Sequence, residues 1–290
     1  NLSCCVSSGP RALLITPGWS SMTTKNNELV INLYSAGSAD FKLANNNTVT
    51  IVQETSYPIN NLINIKIHSQ RSSSFTLKLR IPEWSKQTVL KINGKQINSI
   101  PGTYASINRT WKENDIVTLE LDLRGRLIRA PSGAPQQAVM RGPILLALDN
   151  RFTKEQDSTV WLVSQPEKFD DVTASSKGYL LPKHNFPEKN EVSYIDDFKP
   201  VAINNSEILM AFEVPFIIRQ WHILNHHEKE LIMCDYASAG NKWSADNLYR
   251  VWIPQPMFMG DMYPKNTWNV MAPGSKTRNA VPEYIQKVVK

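Results

Sequence analysis

Short segments in which apolar and polar residues alternate recur along this chain and constrain its fold most. Side chains on a β-strand point alternately to the two faces of a sheet, so each segment places one apolar row against a core. Turn residues separate the segments, and Asn93-Gly94 suits a two-residue type I′ hairpin. The pattern predicts an all-β protein made of antiparallel, jelly-roll-like β-sandwiches. In the first half of the chain the segments are residues 28–34, 48–54, 62–68, 75–80, 88–93, 104–107 and 116–121.

The length of 290 residues suits two consecutive sandwich domains of roughly 100–200 residues each. A shift to Pro and Gly at Ala130 to Gln137 predicts the boundary, with a first sandwich at 25–135 and a second, carrying long loops, at 136–290. Residues 1–24 differ in composition and predict the stub of a helix or a buried linker. Strands are predicted in the second domain at 138–149, 206–212, 215–224, 230–236 and 248–253, with irregular segments at 165–206 and 255–283.

Charge and hydropathy narrow the classes of partner. The net charge of +6 is scattered without a run of five basic residues, which predicts a basic, soluble surface and no nucleic-acid partner. The longest apolar runs, such as Ile144 to Leu148, are too short for a membrane span. Three cysteines cannot form a disulfide framework, so they leave the compartment open. Because residue 1 is Asn and no signal peptide follows, we expect a processed chain or a fragment.

The adjacent cysteines Cys4 and Cys5 are the strongest candidates for a chemical site. A thiolate is both a nucleophile and a zinc ligand. Two small buried apolar residues are the alternative, since free cysteines are often buried. A structural zinc site needs about four ligands, and the rest of the chain offers no second Cys or His pair at a fitting distance.

Other candidate residues have ordinary interpretations. The histidines His222, His226 and His227 fall in a predicted hairpin whose turn is 225–229, which indicates a solvated loop. Cys234 lies within a predicted strand and is expected to be a core thiol. The tryptophans either stack on sugar rings or pack in a core, and the sequence does not separate the two. They are Trp84, Trp111, Trp221, Trp243 and Trp252. No acid/base pair can be selected among Glu54, Glu83, Glu120 and Asp122.

The order of several motifs carries a family resemblance. The motifs are Leu2-Ser3-Cys4-Cys5, Gly9-Pro10-Arg11, the segments 29–34, 53–58 and 79–84, Asn93-Gly94, and the segments 101–104, 109–111 and 141–143. In this order they resemble the C-terminal stretch of the β-L-arabinofuranosidases of glycoside hydrolase family 127 and its relatives. The resemblance covers about residues 1–148 and is looser beyond, at 236–240 and 249–254.

The resemblance implies an active site in an N-terminal (α/α)6 barrel, with residues 1–24 as a remnant of the end of that barrel. It implies that Cys4 is the nucleophile and that Cys4 and Cys5 are zinc ligands. The other zinc ligands, a Glu and a Cys, and the acid/base Glu belong to the barrel in this family, upstream of residue 1. We therefore expect the isolated chain to be inactive and to hold no zinc stably.

The implied activity is the release of L-arabinofuranose or a related sugar from plant glycans or glycoproteins with retention of configuration. The partners would be an arabinose-containing glycan and a missing or separate barrel, and an extracytoplasmic location is favoured. The alternative is a non-catalytic sandwich that binds carbohydrate or packs as an accessory. If the usual cover of residues 1–24 is absent, an exposed apolar patch is expected at Ala12 to Trp19.

Overall fold

A computed structural model describes residues 4–44, 46–129, 136–152, 160–162, 192–195, 197–219, 226–241 and 248–254. Within these ranges one helix, α1 (Cys4–Ser20), precedes a series of strands. The chain divides into two compact units, unit 1 (Asn1–Leu123) and unit 2 (Arg124–Lys290). The predicted all-β class is confirmed. No helix in the described ranges has the length and hydrophobicity of a membrane span.

Two β-sheets make up the sandwich of unit 1. Its strands are β1 (Ser21–Thr23), β2 (Leu29–Ile31), β3 (Gly37–Lys42), β4 (Thr48–Thr55), β5 (Leu62–Ser69), β6 (Ser73–Arg80), β7 (Val89–Ile92), β8 (Lys95–Ile97), β9 (Tyr104–Trp111) and β10 (Asp115–Glu120). One sheet has the order β1-β2-β6-β9 and the other has the order β3-β4-β5-β10-β7-β8. Every strand-like segment predicted from alternation in residues 28–121 overlaps one of these strands.

The core of unit 1 consists of the inward rows of both sheets. Ile63, Ile65 and Ile67 of β5 are fully buried, while the residues between them remain partly exposed. They share one apolar cluster with Leu77 and Leu79 of the facing sheet. Because burying one such side chain contributes roughly 1.5–3 kcal/mol, this alternation is the main stabilising pattern of the unit.

The hairpin between β7 and β8 confirms the predicted turn. Ile92 pairs with Lys95, which leaves Asn93 and Gly94 as a two-residue loop. Their φ angles of 48° and 82° lie in the left-handed region that a type I′ turn requires. Glycine has no Cβ and asparagine tolerates positive φ, so this dipeptide adopts the turn at low cost.

One strand pair departs from the antiparallel prediction. Strands β2 and β6 run parallel, with Leu29 beside Leu77 and Ile31 beside Leu79. All other strand pairs of the described ranges are antiparallel. Alternation shows which residues face the core, but it has no information on strand direction. The jelly-roll connectivity stays a prediction.

Unit 2 is built on one curled sheet. Its strands are β11 (Gly125–Arg129), β12 (Gln136–Arg141), β13 (Ile144–Asp149), β14 (Val160–Leu162), β15 (Val192–Tyr194), β16 (Lys199–Pro200), β17 (Ala211–Arg219), β18 (His226–Asp235), β19 (Tyr249–Arg250) and β20 (Ile253–Pro254). The main order is β14-β17-β18-β13-β12-β11-β15, with β16 beside β17, β19 beside β13 and β20 beside β12. Val139, Leu146, Phe212, Phe216 and Met233 are fully or almost fully buried in its core.

The division between the units lies after Leu123 and not at the Pro- and Gly-rich segment that suggested a boundary at 135/136. That segment falls between β11 and β12, which pair with each other, Leu127 lying beside Val139. It therefore connects neighbouring strands of one sheet. Proline and glycine mark any reversal of the chain, whether it joins strands or domains, so composition alone could not separate the two.

Three strand predictions in unit 2 need correction. The single strand expected at 138–149 is a hairpin, because Gly142 adopts a φ of 52° and Arg141 pairs with Ile144. The strand expected at 206–212 begins only at Ala211. Residues 226–229 of the predicted turn lie in β18, opposite β17, because hydrogen bonding to a partner strand overrides the polar character of a charged run.

Candidate functional site: helix α1 and the cysteine pair

Helix α1 places the cysteine pair at its N-terminal end. Cys4 and Cys5 are its first two residues, and its first turn contains no acidic residue. The first backbone N–H groups of a helix have no partner within the helix, and together with the helix dipole they favour a negative charge. The backbone at this end of α1 therefore favours an anionic group beside it.

The rest of α1 presents apolar side chains to solvent. Leu13 and Leu14 are 75% and 81% exposed, and Ile15 and Trp19 are 44% and 56% exposed. We call these four residues the α1 surface. The exposed apolar patch predicted at Ala12 to Trp19 is thereby confirmed. Contiguous exposed apolar side chains mark interaction surfaces in soluble proteins.

The composition of α1 indicates that it gains stability from packing. Pro10 and Pro17 lie inside the helix and lack the N–H that would bond the preceding turn. The hydroxyl of Thr16 donates to the carbonyl of Ala12 over 2.9 Å within the helix. A short helix with internal prolines is marginal by itself, because most helix stability in proteins comes from burial of one face. A covering surface over α1 would supply that burial.

Asn32 joins the C-terminal end of α1 to the sandwich of unit 1. Its side-chain Nδ2 donates to the carbonyl of Trp19 over 3.0 Å, and its backbone N–H donates to the carbonyl of Ser20 over 2.8 Å. The hydroxyl of Tyr104 donates to Asn32 Oδ1. The guanidinium Nε of Arg80 donates to the Asn32 carbonyl over 2.7 Å. Sequence reasoning missed this connection, because Asn32 lies within the predicted strand segment 28–34 and no pattern there points to the end of α1.

The fit of a zinc ion to the described residues is partial. Cys4 and Cys5 would supply two thiolates, whereas a tetrahedral site takes about four ligands. The described ranges contain no group of three or more His, Cys, Asp or Glu residues that could hold a metal ion. The roles of Cys4 as nucleophile and of Cys4 and Cys5 as zinc ligands remain predictions.

Cys234 does not belong to the candidate site formed by Cys4 and Cys5. It lies on β18 with no exposed surface, which confirms the predicted core thiol. Burial, followed by the nearby carboxylates of Asp149 and Asp235, raises the pKa of the Cys234 thiol to about 12. A buried neutral thiol is a poor nucleophile, so Cys234 is an internal reference for the reactivity of the other two cysteines.

The tryptophans proposed as sugar platforms differ in exposure. Trp111 is fully buried and stacks on Phe75 at a centroid distance of 5.6 Å. Trp84 is partly buried against the same core, and Trp252 is 38% exposed. Trp221 and Trp243 lie outside the described residues, as does His222. Among the tryptophans that the structure describes, Trp111 is thus excluded as a surface platform.

The candidate carboxylates each have a local environment of their own. Glu54 pairs with Lys66 over 2.6 Å, and Glu120 pairs with Lys91 over 3.1 Å. Asp122 is buried and accepts a hydrogen bond from the backbone of Gln87, while Glu83 is exposed at a turn. Ion pairs on an open sheet face are typical structural surface contacts. These contacts single out no acid/base pair.

Comparison with known proteins gives the class of fold. A solved glycoside hydrolase is 22% identical to the chain, with a TM-score of 0.64, and the match covers 87% of this chain and 39% of that one. Ara127N-Se, a GH127 β-L-arabinofuranosidase from Geobacillus stearothermophilus T6, is 18% identical, with a TM-score of 0.65, over 87% of this chain and 37% of that one. The chain therefore has the fold of a β-rich portion of these glycoside hydrolases.

The family resemblance is more specific in unit 1. Residues 28–123 match the family model of the β-L-arabinofuranosidase GH127 middle domain, and its end coincides with that of unit 1. The GH127 β-arabinofuranosidase BT3674 is 22% identical with a TM-score of 0.66, over 87% of this chain and 38% of that one. The resemblance to glycoside hydrolase family 127 is thereby confirmed. The chain spans less than two fifths of the length of the Geobacillus and BT3674 enzymes, and no curated protein matches it significantly.

Proposed function

We propose that the chain is the C-terminal, β-rich part of a retaining glycoside hydrolase that releases L-arabinofuranose or a related sugar. The observation that carries this proposal is the match of residues 28–123 to the GH127 middle domain, directly preceded by a helix that begins with two cysteines. In this proposal an (α/α)6 barrel provides the pocket and the acid/base Glu. The 290-residue chain alone would then be inactive.

The proposed chemistry assigns different roles to the two thiols. A bound zinc ion keeps its thiolate ligands ionised at neutral pH. The sulfur of Cys4 attacks the anomeric carbon and forms a thioether, while the bond to the leaving oxygen breaks and the acid/base Glu protonates that oxygen. Water, deprotonated by the same Glu, then displaces the sulfur and releases the sugar with net retention. In this proposal Cys4 and Cys5 would both hold the zinc ion, and Cys5 would not touch the sugar.

The α1 surface supports the proposed docking of a barrel. Its four side chains retain much of their apolar area in solvent, and they follow the cysteines by two to four helical turns. A helical layer packed on this surface would bury the apolar area and would bring further ligands close to the helix N-terminus. The same contact would thus stabilise α1 and complete the zinc site.

The test joins the chain at residue 1 to a family 127 barrel and measures hydrolysis of 4-nitrophenyl β-L-arabinofuranoside together with zinc content. We expect turnover and one bound zinc per chain. Cys4→Ser should lower turnover at least about a thousandfold, because a hydroxyl is a far weaker nucleophile at neutral pH. Cys5→Ser should lose zinc, and the matched control Cys234→Ser should retain both.

Two outcomes would contradict the proposal. Full turnover by the Cys4→Ser protein would show that Cys4 is not the nucleophile. A folded, zinc-loaded fusion that hydrolyses no arabinofuranoside would show that the proposed substrate class is wrong. Circular dichroism and unfolding curves of each protein distinguish these results from a fusion that has not folded.

A non-catalytic carbohydrate-binding role is a second candidate, favoured by exposed aromatic rings in unit 2. Tyr236 and Tyr249 are 48% and 44% exposed, with ring centroids 6.0 Å apart, and Trp252 is 38% exposed. Exposed aromatic faces stack on the apolar faces of sugar rings. Glycan-array binding that Trp252→Ala or Tyr249→Ala abolishes would support this role, whereas silence of the chain on the array would exclude it.

A further inference from the structure

A polar cleft of about 810 Å³ lies in unit 1, beside the starts of β4 and β10 and the end of β5. All nine residues that line it carry polar side chains. Its volume lies within the range of roughly 300–1,000 Å³ that small-molecule sites occupy. The polar side chains of these described residues therefore favour a ligand that is recognised by hydrogen bonds.

Hydrogen bonds hold the side chains of the cleft in place. Glu113 Oε1 lies 2.8 Å from His68 Nδ1, and Glu113 Oε2 accepts the backbone N–H of Ser69 over 2.6 Å. The side-chain hydrogen bond with His68, and then that from Ser69, lowers the pKa of Glu113. The carboxylate is therefore ionised and oriented at neutral pH, with lone pairs left for a further donor.

A second set of hydrogen bonds connects two loops that line the cleft. Asn47 Nδ2 donates to the hydroxyls of Ser69 and Ser73 over 2.9 and 2.6 Å. The Ser69 hydroxyl in turn donates to the carbonyl of Arg71 over 2.7 Å. This network ties the β3–β4 loop to the β5–β6 loop. The cleft is thus preformed, so a ligand would bind without the cost of ordering these loops.

The charge balance of the cleft selects the class of ligand. Its formally charged side chains are one arginine, Arg71, and one glutamate, Glu113, and the imidazole of His68 lies beside the glutamate. A site for phosphate or a uronic acid would carry excess positive charge, and a cation site would carry excess carboxylates. Amide, carboxylate, imidazole and guanidinium groups together offer both donors and acceptors. That combination matches neighbouring hydroxyls of a neutral sugar.

We propose that this cleft is a binding subsite for a neutral sugar unit of a glycan, distinct from the chemistry of the cysteine pair. His68, Arg71 and Glu113 hydrogen-bond the sugar hydroxyls, and Asn47 is held at the cleft by its hydrogen bonds to Ser69 and Ser73. The cleft lies wholly within unit 1 and includes no residue of α1. Binding at this subsite can therefore be measured with the 290-residue chain itself.

The test measures binding of neutral arabino-oligosaccharides to the 290-residue chain by isothermal titration calorimetry and NMR. Oligogalacturonate and inorganic phosphate are the charged comparison ligands. We expect millimolar or tighter binding of the neutral sugars only. Glu113→Gln and His68→Ala should each weaken it about tenfold, the effect of losing one hydrogen bond to a charged or oriented group.

The matched control is Lys66→Ala, since Lys66 lies two residues before His68 on β5, is exposed and does not line the cleft. It should leave binding unchanged, as should Cys4→Ser. Equal binding of phosphate or oligogalacturonate, no binding of neutral sugar, or unchanged binding in both cleft variants would overturn the proposal. The ligand comparison uses the unaltered chain, so it decides the matter even where a variant fails to fold.

Discussion

Trp111 offers a sharp test of how unit 1 is stabilised, because its ring has no exposed surface and makes three distinct contacts. It stacks on Phe75 with an interplanar angle of 23°, and its indole N–H donates to the Phe75 carbonyl over 3.1 Å. The guanidinium of Arg109 lies 5.1 Å from its ring centroid. Trp111→Ala would remove all three contacts and leave a cavity between the two sheets.

The expected loss in the free energy of unfolding of Trp111→Ala is about 3–5 kcal/mol, as for other fully buried tryptophans. The free energy of unfolding of a whole domain is about 5–15 kcal/mol, so this loss would be a large share of it. With an m value of about 1.5 kcal/mol per M urea, the midpoint of unit 1 should fall by about 2–3 M. Trp111→Phe retains a stacked ring but leaves the Phe75 carbonyl without its donor, which costs about 1–3 kcal/mol.

The assay is urea unfolding followed by far-UV circular dichroism, with Trp19→Ala as the control. Trp19 is 56% exposed, so its replacement should change stability by no more than about 0.5 kcal/mol. Trp111→Ala should leave carbohydrate binding by the folded protein unchanged. A cost below about 1 kcal/mol for Trp111→Ala would refute the assignment of this ring to the core.

Three further predictions concern polar and thiol groups. Asn93→Asp should lower the free energy of unfolding by about 2 kcal/mol at pH 7. Asn93 Nδ2 donates to Asp115 over 2.7 Å, and a second carboxylate at this position would repel that of Asp115. Urea unfolding curves should show that part of the lost stability returns at pH 4. Burial raises the pKa of Asp149, but hydrogen bonds from Arg151 and Gly240 outweigh this effect, so the pKa in the folded state is lowered. The ionised Asp149 therefore stabilises the fold above its unfolded pKa of about 3.9. The stability deficit of Asp149→Asn should shrink as the pH falls through the lowered folded-state pKa. Cys234 should resist iodoacetamide at pH 8 until the chain unfolds, as peptide mass spectrometry would show; labelling of the folded chain would contradict its burial.

The sequence was sufficient for most strands of unit 1 because their information is local, although β1 and β3 were not predicted. Alternation of period two identifies the buried row of each strand, and the Asn93-Gly94 turn depends on the backbone freedom of two residues. The family resemblance was also recognisable in the sequence, and the family model matches residues 28–123. The exposed patch on α1 was predicted from that resemblance, which implies a barrel that would cover this segment.

Only part of the candidate site could be predicted from the sequence. Cys4 and Cys5 stand out as an unusual pair, whereas Asn32, which connects α1 to the sandwich, is an ordinary polar position of the predicted strand segment 28–34. The cleft residues His68 and Glu113 are 45 positions apart and meet only because β5 and β10 are neighbours in one sheet. No pattern within either segment points to the other.

Tertiary structure alone decided the relative direction of paired strands, the position at which the chain divides into two units, and the burial of Trp111. The parallel pairing of β2 with β6, the end of unit 1 after Leu123 and the complete burial of Trp111 all depend on which strands become neighbours. A proline-rich segment has the same composition in a hairpin as in a linker, and a tryptophan has the same chemistry in a core as on a surface. Local sequence therefore determined the elements and their buried faces, while long-range pairing determined what those faces meet, because strand pairing is a contact between residues distant in the chain.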